Sequence, residues 1–464
     1  MKTRTERDSL GTLEVPDAAY WGAQTQRAVE NFPISGLRPF PAFVRATVRI
    51  KLAAARVNAK AGVLDPVLAK AIEQAAQEVL GGKLADQFVV DVFQAGAGTS
   101  HHMNVNEVLA HRANELLGRP REGKDSVHPN DHVNLGQSTN DVIPTAIRLA
   151  GLELSGELLS VIRAASETLA RKAKAFAQVI KSGRTHLQDA APMTLGQEVG
   201  AWGTSLERHL RLIEAARREL LEVGIGGSAV GTGLNTPEGY REGMAQALGE
   251  LTGEPLTPAR DYFEAMQSLA PAAVLSGAVR NLAIELGRIC NDLRLLASGP
   301  NTGLGELVLP AVQPGSSIMP GKVNPSIAEM VNQVCFMVLG YDHTVAAASG
   351  AGQLELNVMM PVIAYALCAE LLYLTEAVRT LNGKCLEGLE ADGARCRAYA
   401  EKSPQLVTAL APRLGYAKAA EVAKHAVAEG VTIKAWVVRE KLLTQEEADV
   451  LLDPSRLTRP VRLG

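Results

Sequence analysis

Between residues 315 and 325 the chain reads Gly315-Ser-Ser-Ile-Met-Pro-Gly-Lys-Val-Asn-Pro325. That span holds the hydroxyls of Ser316 and Ser317, the ammonium of Lys322 and the amide of Asn324, beside backbone N–H groups that glycine leaves free to point at a ligand. Such an inventory suits a carboxylate or another oxyanion. Two glycines and two prolines exclude a regular helix or strand, so a loop is expected. Gly315 and Gly321 would let it open for a ligand and close over it.

Further candidates stand upstream. Gln94-Ala-Gly-Ala-Gly-Thr-Ser100 presents the Thr99 hydroxyl on a segment whose glycines permit close backbone approach to a ligand. Gln137-Ser-Thr-Asn-Asp141 sets Ser138, Thr139 and Asn140 just before a long helix, where they either cap it or offer donors to an anion at its positive N-terminal end. In Gly183-Arg-Thr-His-Leu-Gln-Asp-Ala190 a Thr-His pair falls in a tight connection between helices. By side-chain chemistry His186 is the natural general base, since a serine hydroxyl is a poor one at neutral pH.

Three stretches invite metal or nucleotide readings and do not sustain them. His101, His102 and Glu107 are possible ligands, but adjacent histidines splay apart on a helix, and Met103 and Asn106 stand where H-E-x-x-H needs Glu and His. His128 and His132 have i,i+4 spacing, yet Pro129 argues against a helix and leaves capping and anion contact as roles. The glycine-rich run from Gly224 to Asn235 lacks G-x-G-x-x-G, carries Thr232 where a phosphate-binding loop needs lysine, and follows no evident strand. It is expected to be a close-packed connection between helices. No metal and no cofactor are expected.

The elements that must hold these groups read as helical. Leu158, Ile162, Ala165, Leu169, Phe176 and Ile180 recur at helical steps, as do Val199, Trp202, Leu206, Leu210, Ile213, Ala216, Leu220 and Val223 after a Thr194-x-x-Gln197 capping box. Other helices are expected over 41–61, 66–80, 263–297, 326–349 and 355–386, after short turn-rich pieces in 1–40. Scarce aromatics, 4% of residues, and few alternating β-branched stretches fit an all-α class. The expected division is into three helical domains: 1–138; 139–395, with a long five-helix bundle; and 396–464, small and opened to capping by Thr444-x-x-Glu447. Helices this long present more apolar surface than one bundle buries, so oligomerisation is expected.

Bulk properties narrow the partners. A net charge of −3 over 464 residues and a pI near 6.4 give no basic field for nucleic acid and no polybasic membrane patch. Five cysteines without a C-x-x-C pair argue against a disulfide framework or thiolate zinc and fit a reducing cytoplasm. The charged start, Met1 to Asp8, lacks the apolar core of a secretory signal. The longest apolar run, Val358 to Ala369, is closed by Glu370 and reads as a buried core helix rather than a membrane span. A small-molecule partner is left, with no nucleic acid and no membrane.

Gly315–Pro325 resembles the signature of the fumarase/aspartase superfamily, and the likeness runs over nearly the whole chain through the segments quoted above. This resemblance implies an all-α homotetramer with a twenty-helix core, each active site drawing on three chains through 99–140, 185–186 and 316–324. The reaction it implies is β-elimination from a small dicarboxylate to give fumarate. It points to Ser316 as the base, with His186 binding substrate or helping the leaving group, and to Thr99, Ser138, Thr139, Asn140, Thr185, Ser317, Lys322 and Asn324 as substrate binders. It marks His128, Asn130 and Asp131 as a secondary carboxylate site. The catalytic and binding groups are nearly all donors, as an anionic, oxygen-rich ligand requires.

For the substrate the wording is mixed. Gly96-Ala-Gly-Thr-Ser100, Gln137-Ser-Thr-Asn-Asp141, Asn332-Gln-Val-Cys-Phe336 and Ala351-Gly-Gln-Leu-Glu-Leu-Asn-Val-Met359 look like aspartases. Trp21-Gly-Ala-Gln-Thr-Gln26, His128-Pro-Asn-Asp131, Leu406-Val-Thr-Ala-Leu410 and Gly415-Tyr-Ala-Lys-Ala-Ala420 look like fumarases. Weighting the residues nearest the substrate favours aspartate ammonia-lyase, with class II fumarate hydratase as the alternative. A helical scaffold that lost its chemistry is a reading from another class, and the intact Ser316, Lys322, Asn324 and His186 speak against it.

Overall fold

The computed structural model describes residues 2–121, 123 and 125–460. Its fold is all-α; among the described residues, strands occur only as four two-stranded ladders.

The chain opens on a hairpin, β1 (Thr3–Asp8) and β2 (Gly11–Pro16), then α1 (Ala23–Asn31), where the sequence suggested only short turns. The first strand alternates charge and hydroxyl, and the polar–apolar alternation of the second covers only Thr12-Leu-Glu-Val15, too short to stand out as a strand signal. Arg4 holds the hairpin's exit instead, donating to the carbonyls of Pro16, Ala19 and Trp21 at 2.7, 2.9 and 2.7 Å.

Prolines and side-chain caps set the helix starts. Both α2 (Pro41–Lys60) and α3 (Pro66–Leu80) begin on proline, whose missing N–H is no loss in a first turn. Asp65 caps α3 by accepting from Val67 N–H at 2.8 Å. After α4 (Thr99–Leu116), the long helix α5 (Thr139–Ala175) ends sooner than its periodicity predicted. Ile180, expected on its apolar face, begins β3 (Ile180–Thr185), which pairs antiparallel with β4 (Gln188–Thr194). At the start of α6 (Leu195–Arg218) the capping box forms: Gln197 N–H donates to Thr194 Oγ1 at 3.1 Å, and Thr194 N–H to Gln197 Oε1 at 2.9 Å.

A two-residue strand, β5 (Glu222–Val223), does precede the glycine-rich run, pairing in parallel with β6 (Thr257–Pro258) beyond α7 (Tyr240–Thr252). The single helix expected over 263–297 is two, α8 (Tyr262–Gln267) and α9 (Ala270–Leu296). Ser268 turns extended between them and its Oγ accepts from Ala270 N–H at 3.2 Å, while Pro271 suits the first turn of α9. After β7 (Leu307–Val308), α10 (Ser326–Ser349) matches its expected span. The next, α11 (Met360–Leu381), starts later than expected because Asn357 accepts from Met359 N–H at 2.8 Å and Pro361 follows. A short ladder joins β7 to β8 (Glu390–Ala391), and the remaining helices are short, the last with the Thr444–Glu447 capping box in place.

Packing sorts the chain into two compact units. One comprises Met1–Leu159, Arg211–Ala283 and Cys335–Thr375, the other Ser160–Leu210, Ile284–Val334 and Glu376–Gly464. In the first, α2, α3 and α4 enclose a core of Val48, Leu52, Ile72, Val105 and Leu109. There Gly151 of α5 lies so close to Leu220, Leu275 and Leu367 that a methyl group would meet Leu220 at 2.9 Å, which lets the long helices approach one another. In the second, Leu406, Val422, Ile433, Trp436 and Val437 form the core of the C-terminal helices, and Gly203 of α6 sits against Leu169 of α5. Among the described residues one helix, Met360–Leu386, is long and apolar enough to cross a membrane by length and composition, and 67% of its apolar window is buried in the protein.

Candidate active site

Within the first unit, the start of α5 carries three contiguous polar residues. Ser138 precedes the helix and its Oγ accepts from Asn140 N–H at 3.2 Å, so the capping role is real. Thr139 takes part in a hydrogen bond with His102 Nδ1 at 2.8 Å, and Asn140 donates to the Ala229 carbonyl at 2.8 Å. Asp141 secures the arrangement: its carboxylate accepts from Ser138 N–H at 2.9 Å and from Gly226 and Ser228 N–H at 3.0 and 2.9 Å. Burial pushes the Asp141 carboxyl up to about 6 against those three donors. The glycine-rich run is therefore a clamp on the head of α5.

Thr99 is the exposed first residue of α4. Gly98 before it has φ +89°, and a Cβ there would come within 3.2 Å of Ile143 on α5. Gly96 approaches Val358 in the same way, at 3.1 Å. These glycines thus serve protein–protein packing, where the sequence suggested approach to a ligand, and they seat Thr99 beside the head of α5.

The two histidines that follow turn to different partners. His101 stacks on Phe43 with ring centroids 4.6 Å apart and shares a hydrogen bond with Thr47 at 3.0 Å; burial, then the Lys51 charge, lower it to about 3. His102 meets Lys51 Nζ and Thr139. Glu107 accepts from Gly22, Gln24 and Thr25 N–H. Among the described residues no three His, Cys, Asp or Glu side chains converge to hold a metal ion.

His128 caps a single π-helical turn, Pro129–Val133, its Nδ1 accepting from Asn130 and Asp131 N–H at 3.3 and 3.1 Å. Pro129 opens that turn, so it forbids less than the sequence suggested. Among the described residues, His128 and Asn130 edge a cleft of about 970 Å³ that also presents Arg7, Arg27 and Arg121.

Within the second unit, Thr185 and His186 occupy a hairpin tip. His186 and Leu187 both have left-handed φ, +55° and +60°, which makes a two-residue turn of the primed kind that matches strand twist. Both are exposed. The hairpin's base is anchored on the fully buried Glu306, which Arg184 grips through two hydrogen bonds of 2.9 Å and Lys181 approaches at 3.1 Å. A surface turn held by a buried ion pair keeps its geometry.

The segment Gly315–Pro325 is a loop, as its composition requires. Gly315 donates to the Lys322 carbonyl at 2.7 Å and its own carbonyl accepts from Asn324 Nδ2 at 2.7 Å, closing the loop at its neck. Only glycine fits there, since a Cβ would lie 2.6 Å from the Lys322 oxygen. Ser316 Oγ accepts from Met319 N–H at 2.8 Å and Ile318 N–H at 3.2 Å. Two amide dipoles on a hydroxyl oxygen stabilise negative charge on it. Ser317 and Lys322 are exposed. Among the described residues no hydrogen bond joins this loop to the hairpin tip.

Comparison with known proteins decides the family. A family model described as Lyase matches residues 11–340, and one described as Fumarase C C-terminus matches 406–459. The chain belongs to the fumarase/aspartase superfamily. Relatives in this superfamily include "Fumarate hydratase class II 1" of Pseudomonas aeruginosa, 48% identical with 98% of each chain covered. "Aspartate ammonia-lyase" of Helicobacter pylori is 45% identical, again with 98% of each covered. Among solved structures, fumarate lyase:delta crystallin from Brucella melitensis bound to cobalt superposes with a TM-score of 0.95 at 47% identity, covering 99% of this chain and 100% of the other. Recombinant class II fumarase from Schistosoma mansoni gives 0.95 at 37%, covering 98% and 99%. The chain is a lyase of this superfamily, and its relatives divide between the two activities.

One buried charged group beside these residues was missed from sequence. Lys51 is fully buried on α2 and donates to Asn134 and Gln137 beside His102. Its signal was present as a lysine inside the apolar run Ile50-Lys-Leu52, a position where an unpaired charge is not tolerated.

Proposed function

We propose that this lyase is an aspartate ammonia-lyase, converting L-aspartate to fumarate and ammonia without a cofactor. The observation that carries the reading is Ser316: its Oγ already accepts two backbone N–H groups of a glycine-hinged loop that also bears Lys322 and Asn324. In this reading Ser316, as alkoxide, removes a proton from the carbon next to one carboxylate, and that C–H pair moves into the carboxylate as an aci-carboxylate dianion. The pair then forms the double bond while the C–N bond breaks and the nitrogen leaves with its electrons. Lys322, Asn324 and the loop amides hold the dianion. Thr99, Ser138, Thr139, Asn140, Thr185 and Ser317 bind the rest of the substrate, and His186 contacts the leaving group.

Ammonium departs without further protonation, whereas hydroxide must be protonated as it goes, so a hydratase depends more on a general acid. The aspartase-like wording of Gly96–Ser100 and Gln137–Asp141, next to the proposed substrate, favours the amine. Fumarate hydratase stays as the second reading because a relative of that name is 48% identical and the C-terminal match is to a fumarase model. Fumarate release from L-aspartate and from L-malate, followed by ultraviolet absorbance at equal concentrations, separates them.

The remaining parts of the proposal concern assembly and place. The enzyme acts as a cytoplasmic homotetramer with a twenty-helix core, its sites collected from segments 99–140, 185–186 and 316–324 of three chains. Its three domains are 1–138, 139–395 and 396–464. His128, Asn130 and Asp131 form a secondary carboxylate site.

A further inference from the structure

The reading above makes Thr139 a substrate contact, and the atoms behind Thr139 say which way its hydroxyl points. Lys51 Nζ lies 2.9 Å from Asn134 Oδ1, 2.8 Å from Gln137 Oε1 and 2.5 Å from His102 Nε2. The two amides cannot be turned round, because Asn134 Nδ2 donates to the Gln137 carbonyl at 3.2 Å and Gln137 Nε2 to the Val133 carbonyl at 3.1 Å. Both amide oxygens therefore face the amine. Burial works against a charge on Lys51 and the nearby Asp141 carboxylate works for it. An ammonium has one N–H for each of the three contacts, whereas a neutral amine, giving its two N–H groups to the amide oxygens, would have to accept from Nε2–H; the Asp141 carboxylate favours the ammonium.

With Lys51 donating to Nε2, a neutral His102 must carry its proton on Nδ1. Burial, then the Lys51 charge, hold His102 well below its usual range, so the ring is neutral. Nδ1–H then donates to Thr139 Oγ1 at 2.8 Å and occupies a lone pair of that oxygen. The hydroxyl hydrogen of Thr139 is left for whatever sits in front of it.

We propose that Lys51 and His102 are positioning residues that fix Thr139 as a hydrogen-bond donor, committing this corner of the site to a carboxylate oxygen of the substrate rather than to its ammonium group. Without the relay the hydroxyl is free to turn and present a lone pair instead. An unpaired or wrongly turned polar group at a charged ligand weakens binding by about tenfold or more.

The test uses the full-length enzyme and succinate, a dicarboxylate that cannot eliminate. His102→Phe keeps a ring of similar shape and removes both hydrogen bonds; it is expected to weaken succinate inhibition about tenfold and to raise KM for the substrate more than it lowers kcat. His102→Gln, whose amide can accept from Lys51 and donate to Thr139, should restore most of the loss. Thr139→Val should show the same weakening, and the Thr139→Val, His102→Phe pair should be no worse than Thr139→Val alone. Normal succinate inhibition in His102→Phe beside a weakened Thr139→Val overturns the relay and leaves the active-site reading standing. Normal inhibition in Thr139→Val overturns the reading of Thr139 on which the relay rests. Neutron diffraction of the unsubstituted enzyme does not depend on how the variants fold: deuterium is expected on His102 Nδ1, and deuterium on Nε2 instead overturns the proposal.

Discussion

In the proposed reaction Ser316 is the base, a weak one that geometry already present would make serviceable: two loop amides on its oxygen, with Lys322 on the same loop. Ser316→Ala removes the oxygen with little change in volume. Turnover should fall by about three orders of magnitude or more with the fold intact by circular dichroism; a variant keeping a tenth of the activity means another residue is the base. His186→Gln should be milder, retaining appreciable fumarate formation from L-aspartate, because the amine needs no acid to leave. A different residue contributes to acid stability. His101 is held neutral by burial at about 3 against an unperturbed 6.5. The unfolded chain therefore binds the extra proton between those values, and stability rises with pH across that window and is lost as pH falls through it. At pH 5 the loss from His101 amounts to about 2 kcal/mol. Urea unfolding at pH 7 and pH 5 should show a pH-dependent difference smaller by that amount in His101→Phe, and an unchanged difference contradicts the assignment.

At the scale of elements, the loop's neck is its most constrained point. Gly315→Ala puts a methyl group 2.6 Å from the Lys322 carbonyl and 2.8 Å from Asn324 N, so the loop must open and Ser316 must move. A kcat reduced about a hundredfold with an unchanged melting temperature is expected, and full activity would show that the closed neck is not the working geometry. Much of this level was legible beforehand. The starts of α2 and α3, the span of α10 and the capping boxes at Thr194 and Thr444 follow from local chemistry that needs only a few neighbours. What was not legible depended on distant partners. The β1–β2 hairpin is held by Arg4 reaching carbonyls beyond it, and the β3–β4 hairpin by Glu306, more than a hundred residues away. The same limit applied to Lys51, whose three hydrogen-bond partners come from segments far along the chain. The candidate donors were visible as residues, whereas the clamp of Asp141 on Gly226 and Ser228 was visible only in space.

For the whole molecule, apolar side chains are left uncovered on the long helices. Phe336 and Met337 of α10 are 69% and 53% exposed, with Ile284 of α9 at 54%. In the proposed homotetramer these side chains would be covered by neighbouring chains. Sedimentation should give a homotetramer, and Phe336→Glu should dissociate it; a well-folded monomer in the unsubstituted chain contradicts the assembly. Shared sites make a further demand: reassembling inactive Ser316→Ala chains with inactive His186→Ala chains should restore partial activity, provided each alone is inactive. Failure in verified mixed tetramers counts against sites built from several chains. The substrate is the claim on which the rest turns, since fold, family and donor set serve an amine or a hydroxyl leaving group alike. Steady-state release of fumarate from L-aspartate and from L-malate at equal concentration, with ammonia measured alongside, tests it most directly. Fumarate and ammonia are expected in equal amounts from L-aspartate at a rate far above that from L-malate; rapid dehydration of L-malate with no ammonia from L-aspartate would instead make the chain a fumarate hydratase.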